Sequence, residues 1–362
     1  MQVWIRRFAL LLLPLGFLAV MVAAPLMSLA FYDGEGAWAE VVADDYMRLR
    51  LGWTVAQAVL TCVLVTVLGV PAAWVLARMD FAGRRTVLRL LMLPFVMPTL
   101  VAGMGVLALF GAHGMLAAGW QDTPWLLIYG NVFFNLPVLV RSAYQGFVRV
   151  PQARLLSAQS LGADAWRRFV WVEWPVVRAW VAGGACLVFL YCFSGFGLAL
   201  LLGGERFATV EVEIYRLVAY ELDMARASVL VWLVLAVTAA AGGLYAYWSK
   251  RVAVDKSVSP LPPRAPIWAW EKWLTATVLA MLAVCCLLPL AAVWLKAAAA
   301  GSSWAVLLEA QTWAAVWNTI RFSAAAVAAA TVLGVLYAAA ARQMAWLRAL
   351  MFLPFMVSPV CI

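Results

Sequence analysis

The feature that most constrains this chain is a succession of apolar runs, each about as long as a membrane crossing. A helical crossing takes about 20 residues, because each residue rises about 1.5 Å through a hydrocarbon core of about 30 Å. Runs of that kind lie near residues 8–31, 53–77, 90–110, 125–143, 179–202, 228–248, 273–296 and 317–341, and a ninth starts near 349. In hydrocarbon every backbone N–H and C=O must be satisfied inside the protein, and a run of this length does so as a helix. The expected fold class is therefore an all-α polytopic membrane protein. Composition agrees: 67% of the 362 residues are hydrophobic and 12% are charged, about half the charge of a soluble domain. The run from Phe8 to Phe31 exceeds a signal peptide's apolar region and no clear cleavage site follows, so it reads as a retained first span.

A net charge of +9 could suggest nucleic acid, but the charges sit in short clusters between apolar runs and form no stripe. No nucleic-acid partner is expected; the solvent is a lipid bilayer. With the N-terminus in the cytoplasm, 19 of the 26 Lys and Arg residues fall on the cytoplasmic side, including the clusters Arg84-Arg85, Arg167-Arg168 and Lys250-Arg251. Twelve of the 17 acids, among them Glu205, Glu211, Glu213 and Glu221, fall on the other side. Positive loops face the cytoplasm, so the expectation is a multi-pass protein of the bacterial inner membrane with a cytoplasmic N-terminus.

The second part of the chain restarts the first. Trp53 to Val70 (WTVAQAVLTCVLVTVLGV) is matched by Asn318 to Val335 (NTIRFSAAAVAAATVLGV), and Met92 to Pro98 (MLPFVMP) by Phe352 to Pro359 (FLPFMVSP). More loosely, Leu274 to Leu295 echoes Leu12 to Phe31. Six spans separate equivalent points, and an even number makes a parallel repeat rather than an inverted one. The expected organisation is a six-span first unit at 1–248, a cytoplasmic linker at 249–270 containing SVSPLPPRAP, and the start of a second unit at 271–362 that ends inside a span.

Catalytic chemistry is hard to find. The chain has one histidine, His113, which reads as an interfacial residue, and no G-x-x-x-x-G-K-[ST] phosphate loop. Its six cysteines (Cys62, Cys186, Cys192, Cys285, Cys286 and Cys361) all lie in apolar runs and read as small buried hydrophobes. No carboxylate falls within the apolar cores of the first six runs, whereas ion-coupled carriers need ionisable groups at membrane depth. A secondary carrier and a membrane enzyme acting on lipid are both poorly matched by this pattern.

The loop from Val148 to Trp180 is the most informative segment. Leu155, Leu156, Gln159 and Leu161 fall at helical spacing and lead to Gly162, a natural helix stop. A second helix is expected from Ala163–Asp164 to Trp174, where Pro175 marks entry to the fifth span. This loop resembles the coupling loop of ABC-importer permeases, E-A-A-x-x-x-G followed after nine residues by I-x-L-P. Leu156, Ser157 and Ala158 take the E-A-A place, and Gly162, Val172 and Pro175 fall at the expected offsets, with Leu161 and Ala163 flanking the glycine. Leu156 departs from the acidic residue of the motif. The likeness extends over most of the chain, through GAHGMLA (111–117), NVFFNLP (131–137), FVWVEWP (169–175) and the segment Leu201 to Ser228, and is to the iron(III)/thiamine branch, nearest to its thiamine-uptake members.

The resemblance implies a transmembrane subunit that is not itself an enzyme. Two copies of an ATP-binding cassette subunit would bind ATP and Mg, and this loop would dock into a groove on such a subunit. A periplasmic binding protein would deliver the solute near Leu201–Ser228. Thiamine is the expected solute, with ferric iron the alternative, because the spans offer aromatic rings such as Phe133, Phe134, Tyr191 and Phe196 and no carboxylates for a hard cation. Candidate pathway residues are Pro94 and Pro98, which weaken the third span, Asn131 and Asn135 at i, i+4 on the fourth, and Ser194 and Gly195, which loosen the fifth.

Overall fold

A computed structural model describes residues 15–31, 36–116, 119–120, 123–250 and 261–341, and among these residues it is helical with no β-sheet. In chain order the helices are α1 (15–31), α2 (Ala37–Ala43), α3 (Asp45–Arg78), α4 (Arg84–Val96), α5 (Thr99–Phe110), α6 (Pro124–Val148), α7 (Gln152–Ser160), α8 (Ala165–Phe193), α9 (Phe196–Leu202), α10 (Val210–Arg216), α11 (Met224–Lys250), α12 (Ala269–Ala298) and α13 (Ala310–Ala341). Six of them (α3, α6, α8, α11, α12 and α13) are long and apolar enough to cross a membrane. The ninth expected run and the second copy of the LPF motif lie outside the described residues.

The centre of the bundle is α6, with 72% of its most apolar window buried, against 6% for α13. Helices α3 and α8 pack on α6 and on each other, and α11 packs on α8. Val65, Ala72, Leu136, Leu139, Val140, Val188 and Val234 are fully buried between them. Small residues set the spacing, as is usual where lipid gives no hydrophobic drive. A Cβ on Gly69 would stand 2.9 Å from Leu139, and one on Gly184 2.9 Å from Ser142. A second apolar cluster joins Val106 of α5, Phe133 of α6 and Leu198 of α9.

Three expected spans differ from straight helices at their apolar limits. The third is two helices, α4 and α5, bent by 103°. Proline disfavours α geometry in the residue before it, and Met97 is extended (φ −69°, ψ 147°), which ends α4 and lets Pro98 start α5. The fifth begins earlier than expected and stops sooner. No separate helix ends at Trp174: α8 runs unbroken from Ala165 through a π turn at Phe169–Glu173 to Phe193. The wider turn takes up the strain of Pro175, with Trp174 N–H donating to Phe169 O. Glu173, expected in a loop, therefore lies within a 29-residue apolar helix. The second span extends outward to Asp44, whose carboxylate caps α3 by accepting from Tyr46 N at 2.8 Å.

α5 meets α12 through Gly105. An added Cβ would stand 2.7 Å from the backbone oxygen of Pro289, which cannot swing aside. Gly105→Val should therefore separate the helices and lower the melting temperature of the detergent-solubilised protein, by about 1–3 kcal/mol of overpacking. An unchanged melting curve would show that this contact is not held in solution.

Candidate functional site

Two regions gather the residues expected to carry function. The first is the loop between α6 and α8. Helix α7 ends in a Schellman turn: Ala163 N donates to Ala158 O and Gly162 N to Gln159 O, both at 3.0 Å. That geometry requires a left-handed residue, and Gly162 supplies it at φ +79°. Asp164 then caps α8, accepting from Arg167 N at 2.7 Å. Leu155 is buried and anchors the turn, while Leu156 and Ser157 are exposed and Leu161 and Trp166 more so, at 87% and 71%. Ala158, Ala163 and Val172 are half-buried, and Pro175 is exposed. The turn thus projects an apolar tip from a rigid base.

The base is a buried ion pair that the sequence reading missed. Arg78 Nε donates to Glu173 Oε1 at 2.8 Å, with both side chains 6% exposed. Trp74 Nε1 donates to Glu173 Oε2 at 2.9 Å, and Arg78 also reaches Phe147 O at 3.2 Å. These contacts tie the end of α3 to α6 and to α8 just beyond the loop. The segment before α12 joins them: Arg264 N donates to Arg78 O at 3.0 Å and Asp80 N to Arg264 O at 2.7 Å, while Arg264 pairs with Glu271 at 2.5 Å.

The second region lies where two helices break. Pro98 separates α4 from α5, and Ser194-Gly195 separates α8 from α9. Ser194 Oγ donates to Leu190 O at 2.7 Å, and a Cβ on Gly195 would stand 2.6 Å from Tyr191 O, so the chain can turn there only as glycine. The far halves, α5 and α9, pack together, with Gly197 against Thr99 and Gly103 against Leu201. Both breaks therefore fall at the same level. Phe95, Phe134 and Tyr191 cluster beside them, Phe95 standing 5.5 Å from each of the other two rings.

The expected pathway residues divide between these breaks and the packing behind them. Pro98 is exposed, Ser194 and Gly195 are half-buried, and Pro94 is buried in the last turn of α4. Asn131 and Asn135 are buried at 3% and 1% exposure. Asn131 Nδ2 donates to Gln57 Oε1 at 2.8 Å, and Gln57 Nε2 donates to Cys192 O at 2.9 Å. Asn135 Nδ2 donates to Asn131 O at 2.9 Å. Carbonyls in the last turn of a helix lose their intrahelical partners, and Gln57 supplies one at the end of α8. The asparagines thus support the break from behind. Thr54, Gln57 and Thr61, polar at helical spacing in an apolar run, were the signal for this network.

At the opposite end of α3 from Arg78, Arg50 holds two backbone carbonyls, Glu205 O at 2.6 Å and Arg206 O at 2.7 Å. Trp53 Nε1 donates to Phe207 O and Val210 N to Thr54 Oγ1, each at 2.9 Å. Glu211 and Glu213, two of the acids counted to the non-cytoplasmic side, are buried. Tyr46 OH donates to Glu213 at 3.0 Å, and Arg216 lies 3.6 Å from it, which raises the Arg216 pKa. His113 is exposed, and its carbonyl accepts from Lys296 Nζ at 3.4 Å.

Half-helices that end side by side within a bundle are how solute permeases break a span without exposing backbone to lipid, and this fold is of that class. The chain belongs to the family of binding-protein-dependent transport system inner membrane components, which matches residues 65–254. It is 32% identical over 321 residues to the thiamine transport system permease protein ThiP of Salmonella typhimurium, covering 86% of this chain and 58% of that one. The Escherichia coli protein of the same name is 30% identical, over 85% of this chain and 60% of its own length. That of Brucella abortus is 34% identical over 62% of this chain and 44% of its own. The chain thus spans less than two thirds of these relatives. Among solved structures, a bacterial ABC transporter that imports alginate shares the fold at a TM-score of 0.59 and 15% identity, over 70% of this chain and 98% of that one.

Proposed function

We propose that this chain is the membrane-spanning subunit of an ATP-driven importer and that its solute is thiamine. The observation that carries the reading is the 30% identity or better to thiamine transport permeases across most of the chain. In this reading the exposed tip of the α7–α8 turn, Leu156 to Ala163, docks into one of two copies of an ATPase subunit, which bind ATP and Mg. Gly162 sets the angle of that tip and the Arg78–Glu173 pair fixes its base. A periplasmic binding protein meets the segment that Arg50 and Trp53 hold in place. The charge distribution supports a cytoplasmic N-terminus. Solute passes beside the breaks at Pro98 and Gly195, where Phe95, Phe134 and Tyr191 offer ring faces to an aromatic cation. Ferric iron would favour carboxylate and phenolate oxygens; none of the residues named at these breaks carries a carboxylate, and Tyr191 is the one phenol among them.

The same reading makes the chain a parallel repeat of 1–248 by 271–362 across a linker at 249–270. Local geometry supports this. A π turn at Ala19–Ala23 comes shortly before Pro25, and one at Ala283–Leu287 shortly before Pro289. Left-handed Gly36 leads to a short helix and then the 34-residue α3; left-handed Gly301 opens a 3-10 helix that leads to the 32-residue α13.

Uptake in cells that depend on this system, with labelled thiamine and iron compared side by side, tests the solute. Deletion should abolish thiamine uptake at nanomolar supply and leave iron uptake intact. The reverse pattern would transfer the assignment to iron.

A further inference from the structure

Between α3, the base of the α7–α8 loop and the linker at 261–268 lies a cavity of about 470 Å³. Four charged side chains line it: Arg78, Arg168, Arg264 and Glu173. Glu173 answers Arg78, and Glu271, outside the wall, answers Arg264. Arg168 has no carboxylate partner among the described residues; its Nη1 meets only the neutral Gln159 Oε1, at 3.1 Å. Arg78, 6% exposed in its side chain, keeps Nη1 without a hydrogen-bond partner. A buried donor left unmade is costly, and here it belongs to a residue of the same wall as an unneutralised positive charge. The wall therefore offers what an oxyanion needs, an uncompensated cation in Arg168, with the buried Arg78 guanidinium behind it.

The level of the cavity says where that anion comes from. Trp53 and Trp74 stand 21 residues apart on the unbroken α3, about 31 Å at 1.5 Å per residue, which is the thickness of the hydrocarbon core. Tryptophans mark the interfaces. Arg78 lies one turn beyond Trp74, at headgroup depth. Trp268 and Ile267, on the cavity wall, are 62% and 67% exposed, and Trp273 nearby is 75% exposed. An apolar rim next to a basic pocket between spans suits a lipid whose chains lie along the rim and whose phosphate enters the pocket.

We propose that this cavity binds the phosphate of an acidic phospholipid headgroup. The site joins α3, the loop base and the linker, so a bound lipid would brace the three against one another. Nothing in this depends on the solute carried.

Native mass spectrometry of the purified chain released from mixed phosphatidylglycerol and phosphatidylethanolamine nanodiscs tests it. The unmodified protein should retain phosphatidylglycerol in preference. Arg168→Gln should weaken that retention about fivefold, the effect of one basic residue near an anionic surface, and Arg168→Lys should restore most of it. Arg167→Gln makes the same charge change one residue away, off the cavity wall and with its side chain 71% exposed, and should retain the lipid normally. Equal retention by Arg168→Gln and the unmodified protein would overturn the proposal. So would a melting-temperature rise with inorganic phosphate in phosphatidylcholine nanodiscs, if no preference for phosphatidylglycerol accompanied it, since that result assigns the cavity to a free anion.

Discussion

Glu173→Ala is expected to destabilise the protein by about 3–5 kcal/mol, the cost of leaving one member of a buried ion pair alone. The substitution strands the Arg78 guanidinium in a position 6% exposed and removes the acceptor of Trp74 Nε1. It also removes the polar tie between α3 and α8 at the foot of the loop. Replacing both partners by apolar residues of similar volume, Arg78→Met with Glu173→Leu, should recover most of the loss, because no charge is then left buried without a counterion. Heating the detergent-solubilised variants and following the folded fraction by size exclusion gives the comparison. A single variant that melts with the unmodified protein would show that water reaches Arg78 freely and that the pair adds little.

Gly162→Trp should reduce solute uptake to background while expression and membrane insertion stay normal. Two effects add. A non-glycine residue at φ +79° strains the turn by about 1–2 kcal/mol, and the indole occupies the surface that would enter the ATPase. A Cβ alone meets nothing within 4 Å. Gly162→Ala therefore isolates the backbone term and should keep a substantial part of transport. ATPase activity that persists in the tryptophan variant without uptake would mark loss of coupling. Normal uptake by that variant at normal expression would remove this turn from the docking surface.

Much of this was legible in the sequence because it is local. Apolar runs of bilayer length, the Gly162 stop and the Asp164 cap each act through neighbours a few residues away. The proline effect at Met97-Pro98 is equally local, since it concerns one residue's ψ. The boundaries were less legible. Helix α8 continues through Pro175 because the π turn before it absorbs a residue, and no side-chain pattern announces that choice. Glu173 read as a loop acid because its partner, Arg78, lies 95 residues away.

The sequence by itself determined that the chain crosses the membrane repeatedly as helices, because backbone in lipid must be paired and continuous apolar runs of about 20 residues pair it within a helix rather than a barrel. It also determined the helix-turn-helix of the loop, because only glycine closes a Schellman turn without strain. Only the tertiary structure decided that the breaks at Pro98 and Gly195 face each other, and that Gln57, Asn131 and Asn135 stand behind them. It alone paired Arg78 with Glu173 and set the segment 261–268 against the basic cavity. Those outcomes rest on contacts between residues distant in sequence. A buried polar atom takes whichever partner close packing brings within reach, and that choice is made by how the helices meet.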